Sequence, residues 1–330
     1  MEKGYRVAVV GATGLVGRTI LQVLEERQFP IDTLYLFSSQ RSAGTTMPFR
    51  GETIIVEELN EANIQKPMDL ALFSAGGHVS KQFAPMFRDL GAVVIDNSSA
   101  FRLEESVPLI VPEVNPDAIL QHQGIIANPN CSTIQAVVPL GVLHRINRIK
   151  RIVYSTYQAV SGAGRGGLLA LEKGIKGEPV THFTRPIAYN VIPQIDELLP
   201  SGYTKEELKM VEETRKILGD SSIQVTATTV RVPVRHGHAV SVNVELYYPF
   251  RLEAVKEKWR QVEGVVIHDD PDFPTPLDVE GKDTIHIGRI RRDFSVPNGI
   301  NLWVVADNIR KGAATNAVQI AELLVRRGLL

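Results

Sequence analysis

The chain has 330 residues, 44% hydrophobic and 22% charged, with 36 basic and 37 acidic side chains giving a net charge of −1. That length exceeds one ordinary domain core, so two domains are expected. The balanced charge leaves no long-range field to hold nucleic acid or an anionic membrane. No apolar run approaches the roughly 18–20 residues that cross a bilayer.

In chain order, RVAVV (6–10) reads as a buried strand, followed by a glycine turn and a helix over 14–27. TLYLFSS (33–39), a hairpin-like TTMPFRGETIIVEEL, DLALFSAG (69–76), a helix near 80–90, AVVID (92–96) and IIAN (125–128) complete the first half. Apolar runs alternating with amphipathic helices predict a parallel sheet covered on both faces. A helix over 132–146 opens the second half, followed by RIVYSTYQAVSGAG, an irregular stretch at 174–204 and a charged helix at 205–219. Period-two strands at 224–234 and 239–249, and more strands within 265–309, predict an α+β domain with a largely antiparallel mixed sheet. GAATNAVQIAELLVRRG closes the chain as a helix that returns to the first domain. The expected division is therefore 1–128 with 312–330, a Rossmann-like dinucleotide-binding domain, and 129–311, a catalytic and dimerisation domain. Alternating apolar residues on both faces of 224–249 suggest a sheet covered by more than its own helices. The first residues enter a strand with no basic-then-apolar leader, and the single cysteine excludes disulfides and thiolate-held metal. A soluble cytoplasmic protein without metal is expected.

Gly11-Ala12-Thr13-Gly14-Leu15-Val16-Gly17 lies between the first strand and the first helix. Glycines there let a pyrophosphate approach the backbone, and the helix N-terminus supplies N–H groups and partial positive charge. An NAD site would place Asp or Glu near the end of the second strand. This one ends in Ser38-Ser39-Gln40-Arg41-Ser42, whose hydroxyls and guanidinium suit a 2′-phosphate, so NADP is the expected cofactor.

Cys131, in Ala-Asn-Pro-Asn-Cys-Ser-Thr, stands where a strand gives way to an apolar helix. A helix start favours the thiolate and turns the sulfur outward, as a nucleophile requires. Asn130 beside it could donate to an oxyanion or a phosphate. A base is also needed. Of eight histidines, His236 and His238 in RVPVRHGH stand at the end of a buried strand; sequence alone does not choose between them.

The combination GATGLVG, SSQRSAG, NSSAFR, ANPNCST, YQAVSGAG, RVPVRHGHA and DNIRKGAATNAVQ resembles the aspartate-β-semialdehyde dehydrogenase family from end to end. The resemblance implies NADPH-dependent conversion of L-4-aspartyl phosphate to L-aspartate 4-semialdehyde and phosphate, on the route to lysine, threonine, methionine and isoleucine, in a homodimer or homotetramer. It implies Cys131 as thioester nucleophile, His238 as acid–base catalyst and Gln158 as the residue orienting the substrate. It gives Arg102, Lys216 and Asn130 to phosphate, Arg231 to the α-carboxylate and Glu213 to the ammonium. Ser161, Gly162, Ala163 and Gly164 would lie along the nicotinamide half of the cofactor, with Asn316 nearby. The charges suit that substrate, since a carboxylate, an ammonium and a phosphate together call for arginines, an acid and a further cation. Glu213 and Lys216, three apart, would share one helix face.

Two other readings stand beside this one. N-acetyl-γ-glutamyl-phosphate reductase shares the chemistry, but its substrate has no free ammonium, and Asn130-Cys131-Ser132-Thr133 favours the aspartyl enzyme. A non-catalytic NADP-binding protein is the other, against which the intact thiol and its basic partners argue.

Overall fold

The computed structural model describes residues 4–330, so the first three residues, at the start of the run expected to enter a strand at once, lie outside the described residues. The chain divides into two compact units: one ends at Pro129 and takes in Ala313–Leu330, and the other is Asn130–Gly312.

In the first unit, β1 (Tyr5–Val10), α1 (Leu15–Glu26) and β2 (Ile31–Ser38) form the opening βαβ step. Ile20, Leu21, Val23 and Leu24 of α1 fall on one face at helical spacing and are buried. β3 (Thr46–Phe49) and β4 (Glu52–Glu58) form the expected hairpin. Its two turn residues, Arg50 and Gly51, take φ values of 50° and 80°, the handedness a two-residue hairpin prefers. β5 (Leu70–Phe73), α2 (Gly77–Asp89), β6 (Val93–Asp96) and β7 (Ile125–Ala127) follow. The sheet order is β3-β4-β2-β1-β5-β6-β7, parallel except for β3. The chain reverses direction across the sheet between β1 and β5, so the glycine loop after β1 sits at the switch point, where doubly wound sheets bind ligands.

The second unit opens with α3 (Cys131–Ile146), whose residues from Ser132 to Leu143 are all buried. It continues through β8 (Ile149–Gln158), α4 (Gly164–Ile175), α5 (Lys205–Leu218), β9 (Gln224–Arg231), β10 (His238–Leu246), α6 (Leu252–Arg260), β11 (Val265–Ile267), α7 (Pro276–Val279), β12 (Ile285–Asp293) and β13 (Gly299–Ala306). The sheet order is β11-β12-β13-β10-β8-β9; β8–β9 and β11–β12 pair parallel and the other three pairs antiparallel.

Three helices were not expected: α4, α6 and the one-turn α7, which falls within the 265–309 stretch expected as strands. α4 contains four glycines, which argue against a helix on propensity. At Gly167 a Cβ would lie 2.2 Å from the Val160 carbonyl, so close packing, not propensity, selects the residue. α6 buries Val255 and Trp259 one turn apart, and the Trp259 indole donates to the Pro139 carbonyl at 2.9 Å. β9 ends at Arg231: the Val232 amide still donates to the Gln158 carbonyl at 3.0 Å, but Pro233 has no N–H to carry the ladder on. The expectation of apolar residues on both sheet faces is corrected: Ser155, Ser241 and Trp303 share one half-buried face, with Val153, Asn243 and Asn301 beside them.

α8 (Thr315–Arg327) returns to the first unit, burying Val318, Ile320, Ala321 and Leu324 in its core and ending at Gly328 in the left-handed conformation.

Candidate active site

In the first unit the glycine loop is tightly built. Gly11 has φ 80°, and a Cβ there would meet the Ser74 backbone at 2.9 Å; one at Gly17 would lie 2.2 Å from the Gly11 carbonyl. Ala12 is buried, while Thr13, Gly14, Leu15 and Val16 reach the surface to differing degrees. Gly14 caps α1 without a side-chain partner and no acidic residue lies in the first turn, which leaves the helix N-terminus suited to an anion. Thr13 Oγ1 bonds Ser38 Oγ at 2.7 Å and reaches Ser42 Oγ at 3.4 Å, tying the loop to the end of β2. Ser39 and Arg41 next to it are exposed. The donors match a phosphorylated ribose, and no carboxylate stands among Ser38–Ser42 to oppose it.

Arg102, also in this unit, is only 8% exposed; its Nε donates to the Asn128 carbonyl at 2.9 Å and its Nη2 to that of Asn97 at 2.7 Å. A guanidinium fixed by two carbonyls is held in one orientation. Asn316 is fully buried, its amide donating to the Ile110 carbonyl and to Asn128 Oδ1. It fastens α8 to the end of β7 and offers no open donor.

In the second unit Cys131 is the first residue of α3 and only partly buried. Asn130 is its N-cap: Oδ1 accepts from the Ser132 and Thr133 amides at 3.0 and 3.3 Å. Its Nδ2 donates to Glu206 Oε1 at 2.8 Å, so the carboxamide first of all builds the nucleophile's turn. One turn along, buried Gln135 donates to the carbonyls of His238 and Val304, both at 3.0 Å, tying the thiol's helix to the strand that carries the histidine.

His236 and His238 are distinguished by geometry. His236 lies 3.9 Å from Glu280 with part of its ring in solvent. His238 is 0% exposed; its Nδ1 accepts from the Ala159 amide at 3.0 Å, and its Nε2 has no hydrogen-bond partner among the described residues. The Ala159 N–H requires a lone pair on Nδ1, so a neutral ring carries its proton on Nε2. Burial, then the neighbouring Arg231 cation, hold this imidazole well below the usual histidine range. The Ala159 carbonyl accepts from Arg231 Nη1 at 2.7 Å, so one residue's main chain orients both groups. A methyl group at Gly162 would sit 2.8 Å from Arg231 Nη1 and 3.2 Å from His238 Nε2; glycine keeps that approach open. Next to it, Ser161 bonds Asn308, and Ala163 lines a cavity of about 220 Å³ beside Arg231. Gly164 takes φ 69°.

Gln158, buried at the end of β8, donates to Glu206 Oε1 at 3.2 Å. The acid beside Gln158 is Glu206; Glu213 and Lys216, expected at the ammonium and the phosphate, lie further along the same helix. Glu213 is 1% exposed and accepts from the Asn130 amide at 2.6 Å, a contact that holds the cysteine's turn. Lys216 lies three residues further along α5, toward its C-terminus. Glu206 meets Asn130, Gln158 and Lys209, the last at 3.1 Å. Burial would raise its carboxyl, but Lys209 and the amide donors outweigh burial and hold it below the ordinary range. The Glu-x-x-Lys spacing occurs twice in this helix, seven residues apart and on the same face, so spacing could not choose between them.

The glycine loop at the switch point of one unit and the helix-start thiol with a buried, tautomer-locked histidine in the other define a dinucleotide-dependent dehydrogenase of the thiol type. Residues 6–122 match the model of the semialdehyde dehydrogenase NAD binding domain, and 140–311 that of the semialdehyde dehydrogenase dimerisation domain. An aspartate-semialdehyde dehydrogenase of Aquifex aeolicus is 51% identical, with 99% of this chain and all of the relative covered. The crystal structure of aspartate semialdehyde dehydrogenase II complexed with ASA from Vibrio cholerae has a TM-score of 0.96 at 50% identity, covering 98% of this chain and 99% of that one. That of the Candida albicans enzyme with NADP has a TM-score of 0.80 at 26% identity, covering 99% and 100%. The chain belongs to the aspartate-semialdehyde dehydrogenase family.

Proposed function

We propose that this chain converts L-4-aspartyl phosphate to L-aspartate 4-semialdehyde and phosphate with NADPH, through a thioester on Cys131. The observation that carries the reading is the His238 ring, buried, locked with its proton on Nε2 and aimed with Arg231 at Gly162. The Cys131 thiolate attacks the acyl carbon, the C–S bond forms, and the C–O bond to phosphate breaks. When bound, NADPH supplies the hydride that reduces the acyl carbon. The His238 Nε2–H donates to the carbonyl oxygen as negative charge develops there and recovers its proton as the C–S bond breaks and aldehyde leaves. Gln158 orients the acyl group. Arg231 holds the α-carboxylate, Glu213 faces the ammonium, and Lys216 is the further cation, at the phosphate. Arg102 binds the phosphate, with Asn130 shaping the turn beside the thiol.

The cofactor is held by the Gly11–Val16 loop at the α1 N-terminus, with Ser38, Ser39, Arg41 and Ser42 around the 2′-phosphate and Ser161–Gly164 toward the nicotinamide. The carboxylate for the free ammonium, Glu213, favours the aspartyl substrate over an N-acetylated one. The second unit pairs with its copy in a homodimer through the half-buried face that carries Ser155, Ser241 and Trp303, and two dimers can associate as a tetramer. The working compartment is the cytoplasm. Among the described residues no helix is long and apolar enough to cross a membrane, and no cluster of acidic, histidine or cysteine side chains fits a metal.

The test is NADPH formation from L-aspartate 4-semialdehyde and NADP, which should require inorganic phosphate. Arg102→Leu should raise the KM for phosphate about 10- to 100-fold, as expected for losing a charged hydrogen-bond donor. The KM for semialdehyde should change less than about threefold. Equal losses at both ends would remove Arg102 from the phosphate site; turnover of only the N-acetylglutamate analogue would transfer the whole reading to the related reductase.

A further inference from the structure

β13 ends at Ala306, opposite His238 at the start of β10, so the chain leaves the sheet beside the histidine. Asp307 fixes the exit. Its Oδ1 accepts from the Ile309 and Arg310 amides at 2.8 and 3.1 Å, and its Oδ2 from the Gly281 amide at 2.8 Å. The next side chain, Asn308, is set in the interior and only 2% exposed.

Its carboxamide uses both ends. Oδ1 accepts from the Gly237 amide at 3.0 Å, one residue before His238. Nδ2 donates to Ser161 Oγ at 3.0 Å, in the turn that runs on to Gly164. The two joined segments also lie side by side through main-chain bonds: the Val160 and Ser161 amides donate to the carbonyls of Val234 and Arg235 at 2.8 and 3.1 Å. On its other side Gly237, at φ 84°, abuts Pro276, whose carbonyl would lie 2.9 Å from an added Cβ. A carboxamide suits this place because it carries a donor and an acceptor together, which a carboxylate does not.

In the reduction, hydride reaches the acyl carbon while His238 donates to the oxygen bonded to it. The two donors therefore serve adjacent atoms, and a misplacement of about 1 Å costs up to about 100-fold in rate. We propose that Asn308 is a positioning residue for hydride transfer: through Gly237 and Ser161 it holds the strand carrying His238 at a fixed spacing from the Ser161–Gly164 turn. This rests on the reading that His238 is the acid–base group and that the turn meets the nicotinamide.

The test is the burst of NADPH formed in the first turnover of L-aspartate 4-semialdehyde and NADP without phosphate, with hydrogen or deuterium on the aldehyde carbon. Asn308→Ala should slow the burst about 10- to 100-fold, keep its amplitude and show a primary deuterium isotope effect. The KM for phosphate in steady state should stay within about threefold. Ser161→Ala, which removes one end of the link with little change of volume, should slow the burst less. The double variant should be no slower than Asn308→Ala, since both act through one contact. Ser161→Ala carries the test alone if Asn308→Ala does not fold. A smaller burst at the wild-type rate would make Asn308 merely structural and overturn the proposal. So would a Ser161→Ala enzyme that raises only the KM for NADP. His238→Gln in the same assay separates the proposal from the reading beneath it. If His238→Gln slows the burst and Asn308→Ala does not, the proposal alone falls; if His238→Gln leaves the rate unchanged, the acid–base reading falls first.

Discussion

Replacing Cys131 with alanine is expected to reduce turnover by more than about 10⁴-fold, because no second route exists once the covalent acyl carrier is lost. NADP binding should survive, since the glycine loop, Ser38–Ser42 and the uncapped α1 terminus that carry it belong to the other unit of the chain. Phosphate-dependent NADPH formation and the fluorescence of bound NADPH separate the two effects. An alanine variant with appreciable turnover would remove the cysteine from the mechanism. One that also lost the cofactor would make the residue structural.

His238→Gln should lower kcat about 10²- to 10⁴-fold with little change in KM, the range for removing a positioned acid–base group. Its pH signature follows from the depressed pKa. In the unfolded chain this imidazole protonates near about pH 6.5, whereas in the fold it stays neutral to well below that value. Between those limits the unfolded state binds the extra proton, so neutral His238 contributes stability that is fully present above about pH 6.5 and is progressively lost on acidification. Thermal midpoints from about pH 7.5 to about pH 5.5 should therefore fall more steeply for the wild type than for His238→Gln. For the same reason the acid limb of kcat/KM should lie below the ordinary histidine range. A limb near pH 6.5 that disappears in His238→Gln would contradict the tautomer-locked ring.

Much of this was legible in the residues because local rules and tertiary structure agree. The parallel strands of the first unit are short apolar runs, the glycine loop follows the first of them directly, and Asn130 announces the start of α3. α4 was missed because its four glycines speak against a helix, while the Val160 carbonyl beside Gly167 accepts nothing larger. Spacing alone did not separate the two equivalent Glu-x-x-Lys pairs of α5; it was the resemblance that named Glu213 and Lys216. Glu206 and Glu213 lie two turns, roughly 10 Å, apart on the same face of α5, and only long-range contacts to Gln158 and Asn130 tell them apart.

The central claim is the covalent acyl intermediate on Cys131. The direct measurement is the peptide mass spectrum of enzyme mixed with L-aspartate 4-semialdehyde and NADP without phosphate, then acid-quenched. The account predicts an aspartyl thioester on the peptide containing Cys131, formed together with NADPH and discharged when phosphate is added. NADPH formation with that peptide unmodified, or an adduct on any other residue, would contradict it.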